Sequence, residues 1–169
     1  MQPIPDHLKK GLKIIFVGFN PGLHSGQIGH HYANPNNRFW TVLFMSGLTP
    51  HQYRPEQDAE LLGLGYGLTN IPRPTRAAAD ITKEEYEEGR KILRAKIRRL
   101  KPKIVCFVGK GVYQQYSGRR EVDWGVQPQP TTAQVVDFVA PSTSGLVRMP
   151  LAEMVAIYQQ LAALVHANE

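Results

Sequence analysis

The 169-residue sequence contains a single cysteine, Cys106. One cysteine cannot form an internal disulfide, and it cannot supply a cysteine-ligated zinc or iron–sulfur site. Cys106 stands inside the apolar run Ile-Val-Cys-Phe-Val, where a reactive thiolate would lack the polar, electropositive surroundings that stabilise it. We therefore expect a buried thiol that packs as a small hydrophobic side chain.

Long hydrophobic runs and an export signal are also absent from the sequence. No apolar stretch approaches the roughly 18 residues that cross a bilayer. The amino terminus lacks the succession of basic, apolar and small-residue regions that forms a signal peptide. We expect no membrane partner and a cytoplasmic, intracellular protein, with one domain over residues 1–169, a length that closes a single core.

The sequence has fewer acidic than basic residues. Twenty Lys and Arg residues stand against fourteen Asp and Glu residues, which gives a net charge of +6. The basic residues gather mainly at 73–76, 90–103 and 119–120. Excess positive charge attracts anionic partners, because it neutralises phosphates and releases their counterions. The charge balance favours a nucleic-acid partner, although many basic proteins bind no nucleic acid.

Apolar runs and helical segments alternate along the chain. Four segments are short and apolar, as buried strands are: 13–18, 67–71, 103–109 and 134–140. Three segments have helical periodicity or capping signals: 37–47, 82–101 and 151–166. The second helix starts with a capping box of Thr82 and Glu85. This alternation predicts an α/β fold, a three-layer α/β/α sandwich with a central, short and mostly parallel sheet.

Two loops are candidates for a binding site, because ligands of open parallel sheets bind at the carboxyl ends of the strands. Residues 18–26 and 141–148 follow predicted strands and are rich in glycine, proline and small polar groups. Such loops let backbone amides approach a ligand closely. Neither loop has the pattern GxxxxGK[ST] or GxGxxG, so we expect no nucleotide cofactor.

The sequence around these loops gives little support for a metal site or for a catalytic carboxylate. His24, His30 and His31 have no carboxylate in their neighbourhood of the sequence and no helical spacing to align them, so we expect no metal site. Asp123 and Asp137 fall in a turn and in a strand. An enzyme built on these loops would place a water molecule with an amide or a hydroxyl group, without a strong general base.

Five segments occur in a recognisable order: GFNPGLHSG, HYANPNNRFW, LTNIPRPT, VGKGVYQQYSG and PSTSGLVRMPL. Together they resemble the mismatch-specific uracil-DNA glycosylase and thymine-DNA glycosylase family, over residues 13–162. The resemblance implies a monofunctional base-excision repair enzyme that flips uracil out of mismatched double-stranded DNA and hydrolyses its N-glycosidic bond. Thymine and other damaged bases are alternative substrates. It also implies a monomer without a cofactor, associated with the nucleoid.

The resemblance assigns roles to residues of both loops. It implies that Asn20 positions the attacking water and that Ser25 lines the base pocket. The backbone amides of Phe19 and Tyr32 would bind uracil oxygens, while the Tyr32 ring would stack on the flipped base. From the residues alone, Tyr32 could equally pack on the surface. Ser142 would contact a phosphate or the water.

Further residues follow from the same resemblance. Gly145, Leu146 and Arg148 would form the wedge that enters the duplex. Apart from the resemblance, three other basic residues are candidates for DNA contacts by their charge, although each could equally be a solvated surface charge: Arg73, Arg76 and Lys110. Asn70 would face the base, and Gly22 completes the turn that begins at Asn20.

The preferred base stays open, and so do two alternative functions. Asn70 and Ala140 stand where some relatives carry Lys and Asn, which leaves the preferred base undecided. A non-catalytic module that binds nucleotides or abasic DNA could share the fold, although an intact Asn20 favours catalysis. A flavodoxin-like domain would instead carry a coloured cofactor.

Overall fold

The computed structural model describes residues 4–19, 29–72, 78–167 and 169. Within these residues, five strands form one sheet in the order β2-β1-β3-β5-β4. The strands are β1 (Ile14–Gly18), β2 (Tyr66–Asn70), β3 (Ile104–Val108), β4 (Gly125–Val126) and β5 (Val136–Ala140). β4 runs antiparallel to β5 at the edge, and all other pairs are parallel. The predicted, mostly parallel sheet is confirmed.

Helices cover both faces of the sheet. The described residues form α1 (Phe39–Met45), α2 (Lys83–Leu100), α3 (Lys110–Ser117) and α4 (Leu151–Ala167). Two 3₁₀ segments accompany them, Pro55–Leu64 and Ala78–Asp80. α1 and α4 pack on one face, and α2 and α3 pack on the other, which confirms the three-layer sandwich. None of the helices described is long and apolar enough to cross a bilayer.

The strands are continuously apolar because each one serves two cores. In β1, Ile14 and Phe16 enter the core beneath α1 and α4, whereas Ile15 and Val17 enter the core beneath α2 and α3. Successive side chains of a strand point to opposite faces, so a strand covered on both sides needs an apolar residue at every position. Cys106 is likewise fully buried in β3, and burial raises the pKa of its thiol, as expected for a packing residue.

Side-chain caps begin two of the predicted helices. The Thr82 hydroxyl accepts from the Glu85 backbone N–H, while the Glu85 carboxylate accepts from the Thr82 N–H, which completes the predicted capping box. At the start of α1, Asn37 Oδ1 accepts from the Phe39 N–H at 2.9 Å. These caps satisfy N–H groups that have no partner inside the helix.

The sequence does not predict α3 or β4. α3 has eight residues and lies between Gly109 and Gly118, both of which have positive φ. β4 has two residues and exists only because it pairs with β5. Elements this short carry too few residues for a hydrophobic period to show.

Gly89 is the point where α2 comes nearest to the chain that follows β2. A Cβ atom at this position would collide with the backbone carbonyl group of Pro72. We expect Gly89→Ala to lower the free energy of unfolding by about 1–3 kcal/mol, since α2 must shift away from its core. Thermal melting tests this, with Glu88→Ala on the exposed face as the control. A Gly89→Ala protein as stable as the control would contradict the close packing.

Candidate functional site at the carboxyl edge of the sheet

The parallel strands end side by side, and their ends form one edge of the sheet. Gly18 at the end of β1 is the register partner of Asn70 at the end of β2, and Val108 of β3 is the partner of Ala140 of β5. Phe19 and the loop that starts at residue 141 continue from this edge. The structure therefore brings the carboxyl ends of the predicted strands together, as the sequence predicts.

Gly18 makes room for two predicted site residues. A Cβ atom there would lie 2.8 Å from the Tyr32 hydroxyl oxygen and 3.0 Å from the terminal amide of Asn70. Both distances are shorter than ordinary van der Waals contact, so any side chain at this position would displace its neighbours. The absence of a side chain at Gly18 lets both Tyr32 and Asn70 approach the end of β1.

The backbone of Tyr32 adopts a conformation that is rare for a bulky residue, with φ of 52°. The preceding residue holds it there from two sides. The His31 N–H donates to Asp58 Oδ2 at 2.9 Å, and the His31 carbonyl oxygen accepts from Trp40 Nε1 at 3.3 Å. Strained backbone of this kind persists where surrounding contacts over-determine it, and such positions cluster at ligand sites.

The Tyr32 ring is a supported platform. It stacks on Phe39 with ring centroids 3.9 Å apart and planes 13° from parallel. Its hydroxyl oxygen is buried and has no hydrogen-bond partner in the part of the chain that is described. Burial raises the pKa of this hydroxyl far above its usual range, so it stays protonated. The ring is thus neutral, and Phe39 restrains it from one side.

The Asn70 side chain is oriented by backbone carbonyl groups. Its amide nitrogen donates to the Phe19 carbonyl oxygen at 2.7 Å and to the Thr69 carbonyl oxygen at 3.2 Å, in the orientation that matches donors with acceptors. These bonds fix the plane of the amide. The amide oxygen, which is the acceptor of the pair, is thereby directed away from those two carbonyl groups.

A cavity of about 240 Å³ lies at the ends of β3 and β5 and the start of α3. Phe19, Lys110, Trp124 and Ser142 are among its lining residues. The Lys110 ammonium nitrogen lies 4.3 Å from the centroid of the Trp124 ring, a cation–π contact that restrains the long side chain. An ammonium and a hydroxyl group on one wall suit an anionic ligand.

The predicted wedge projects from the loop after β5. Leu146 is 93% exposed, and Gly145 and Arg148 are exposed as well. A large apolar side chain in full contact with solvent has no packing role in the free protein. Leu146 therefore does not pack beneath its own loop.

Two residues before α1 clamp the wedge loop in place. Asn37 Oδ1 accepts from the Thr143 hydroxyl at 2.7 Å. The Arg38 guanidinium donates to the carbonyl oxygens of Val147 and Met149, at 3.0 and 3.1 Å. Sequence reasoning misses this clamp, because its partners lie more than 100 residues apart along the chain.

Comparison with known proteins decides the family. Residues 5–162 match the model of the uracil DNA glycosylase superfamily. The chain belongs to this superfamily. It is also similar to a solution NMR structure of a candidate uracil DNA glycosylase from Methanosarcina acetivorans, with a TM-score of 0.57 and 19% identity over 95% of this chain and 98% of that one. The structural likeness supports the fold, and membership of the superfamily supports DNA glycosylase activity in general.

Several residues to which the resemblance gives a role in this glycosylase fold lie outside the described residues: Asn20, Gly22, Ser25, Arg73 and Arg76. Their predicted roles stay predictions. The described site residues fall into two groups at the same edge. One surrounds Gly18, and the other follows β3 and β5.

One premise about the histidines is wrong. His30 and His31 have no carboxylate near them in the sequence, yet the fold brings Asp58 against both. Asp58 Oδ1 lies 3.2 Å from His30 Nδ1 and 3.2 Å from His7 Nε2. Asp58 is at least 27 positions from each of these histidines, so local spacing contains no signal for this cluster.

Proposed function

We propose that this protein is a monofunctional DNA glycosylase that hydrolyses the N-glycosidic bond of uracil in mismatched double-stranded DNA and leaves an abasic site. The observation that carries the proposal is the Tyr32 ring, which is stacked on Phe39 and lies, like the Asn70 amide, against the bare Cα of Gly18 at the carboxyl end of β1. The enzyme acts as an intracellular, nucleoid-associated monomer.

Base recognition uses the platform and fixed polar groups. The flipped base stacks on the Tyr32 ring, and the backbone amides of Phe19 and Tyr32 donate to its oxygens. The Asn70 amide oxygen, oriented through the Phe19 and Thr69 carbonyl groups, accepts from the N3–H of uracil. Cytosine has no hydrogen on this nitrogen, so the same oxygen disfavours it. Removing the base from the stack costs a few kcal/mol, less at a mismatch.

Bond cleavage relies on stabilising the leaving group. Uracil departs as an anion while the sugar gains positive character, and N–H groups aimed at the uracil oxygens lower the energy of that charge. Asn20 positions the water that attacks the sugar. Because an amide is not a strong base, we expect slower turnover than in an enzyme with a catalytic carboxylate.

DNA is held on both sides of the base. Lys110 and Ser142 contact backbone phosphate from the cavity wall, and Leu146 fills the space that the flipped base leaves. Arg148 reaches the opposite strand. The Arg38 clamp holds this loop in position before DNA arrives, which lowers the entropic cost of inserting the wedge.

A panel of oligonucleotides tests the proposal directly. The protein is incubated with duplexes that carry uracil, thymine, hypoxanthine or xanthine opposite each base, and with the same strands alone. Alkali then cleaves abasic sites. Strand cleavage at uracil opposite guanine is the expected result. Tight binding to abasic duplex without base release on any substrate would favour the non-catalytic alternative.

Salt dependence tests the basic contacts. With about three phosphate contacts, duplex affinity should fall on the order of 40-fold between about 50 and 200 mM salt, because bound counterions are released on binding. Lys110→Gln should make the slope shallower by about 0.9. Fluorescence anisotropy measures both, with Lys91→Gln on the exposed side of α2 as the control. A flat salt dependence would count against this interface.

Gly18→Ala tests the platform. The new methyl group must displace the Tyr32 hydroxyl or the Asn70 amide, so we expect uracil release to fall by about tenfold or more, from a loss of at least ~1.4 kcal/mol of transition-state stabilisation. Gly63→Ala is the control, since a Cβ atom there meets nothing within 4 Å. The platform hypothesis is wrong if Gly18→Ala, corrected for its folded fraction, releases uracil as fast as the control.

A further inference from the structure

A buried carboxylate stands at the centre of a histidine cluster. Asp58, in the 3₁₀ segment Pro55–Leu64, is 1% exposed. Its Oδ1 atom lies 3.2 Å from both His7 Nε2 and His30 Nδ1, and its Oδ2 atom accepts from the His31 backbone N–H. A buried carboxylate is costly unless a positive charge compensates it, and either protons on the histidines or a metal ion can supply that charge.

The side chains have separations that suit a metal. One ring nitrogen each of His7 and His31 and one oxygen of Asp58 lie within 4.8 Å of one another. Zinc binds nitrogen and oxygen ligands at about 2.0–2.2 Å, so neighbouring ligand atoms of a tetrahedral site are about 3.3 Å apart. Asp58 Oδ1 and His7 Nε2, at 3.2 Å, already have this spacing.

A hydrogen bond favours the tautomer of His31 that a metal ligand requires. Its Nε2 atom lies 2.9 Å from the Pro5 carbonyl oxygen. A carbonyl oxygen only accepts, so Nε2 carries the proton and Nδ1 keeps a free electron pair. Histidines that bind metals are commonly oriented by such a bond from the opposite nitrogen.

The other ligands are also held from outside. His30 Nδ1 and the His31 N–H both contact the Asp58 carboxylate, and such contacts orient a metal-binding carboxylate. The His7 backbone is fixed by paired hydrogen bonds with Leu68, at 3.0 and 2.9 Å. Each candidate ligand thus sits on an anchored segment.

We propose that His7, His31 and Asp58 form a binding site for Zn²⁺ or a similar divalent first-row cation, with His30 supporting the carboxylate from outside. A water molecule completes the coordination. The ion joins the amino-terminal segment and the 3₁₀ segment to the residue that precedes Tyr32. Its role is to stabilise the fold and the strained Tyr32 backbone, and it takes no part in bond cleavage. The proposal stands independently of the substrate.

Calorimetry and melting of the untagged, chelator-treated full-length protein test the site without DNA. We expect ZnCl₂ to bind near neutral pH with one equivalent per chain. At a free concentration of about 100 times Kd, the melting temperature should rise by roughly 5 °C, because only the folded state holds the three ligands together. Co²⁺ should give visible absorption bands of a low-coordinate nitrogen and oxygen site.

Variants assign the binding to these residues. His7→Gln and Asp58→Asn should lose the Zn²⁺ heat and the melting shift, whereas His51→Gln, an exposed histidine outside the cluster, should keep both. If Asp58→Asn does not fold, His7→Gln decides the matter, since its ring is partly exposed. Failure of the wild-type protein to bind Zn²⁺ would overturn the proposal, and so would equal binding by His7→Gln.

Discussion

Asn20→Ala should slow uracil release from a G·U duplex by about 10²–10³-fold, while duplex affinity changes by no more than a few-fold. Asn20 is the one polar side chain in the sequence Phe-Asn-Pro-Gly that comes directly after β1. Removing its amide would leave the attacking water without the partner proposed to position it. The residues proposed to contact phosphate and to form the wedge lie elsewhere, at the start of α3 and in the loop after β5, so the substitution leaves them in place.

Single-turnover rates and anisotropy separate these two effects. Gln129→Ala, which removes an exposed amide elsewhere, is the matched control. Equal rates for Asn20→Ala and the control would refute the catalytic assignment. A parallel loss of affinity and rate would instead give Asn20 a role in binding.

Leu146→Ala should slow cleavage of a G·U duplex by roughly 5- to 100-fold, and should affect the same uracil strand much less when it is unpaired. With 93% of its surface exposed, Leu146 gains apolar contacts only when it enters the duplex. Truncation removes about 1–3 kcal/mol of that gain, by analogy with burying a Leu side chain. A single strand has no base pair to open and no vacated stack to fill.

The two substrates are compared in single turnover, alongside a melting curve. Val126→Ala serves as the control, because it truncates another exposed apolar side chain, on β4. An equal loss of rate on duplex and single strand would contradict the wedge role of Leu146.

Patterns among neighbouring residues were sufficient to predict the main strands and helices. The run from Ile14 to Val17 is apolar at every position, and only a strand with cores on both faces demands that pattern. Thr82 and Glu85 are three residues apart, so their reciprocal bonds can be inferred before the fold is known. Cys106 is buried because its neighbours in the strand are. In each case the decisive partners are close in sequence.

The candidate site depends both on residues that the sequence identifies and on contacts that only the fold creates. The sequence names Tyr32 and Asn70, through a resemblance that depends on ordered motifs. It does not reveal that Tyr32 has a positive φ or stacks on Phe39, since a backbone conformation held against its own preference depends on contacts made from elsewhere.

By itself, then, the sequence determined the sheet, its two cores and the edge at which the loops meet, because hydrophobic periods and caps act over a few residues. Only the tertiary structure placed Asp58 against His7 and His30, and Arg38 beneath the wedge loop. These contacts join groups that lie from 28 to more than 100 residues apart. Polar partners at such distances leave no period in a sequence, and the packing of the whole chain decides which of them meet.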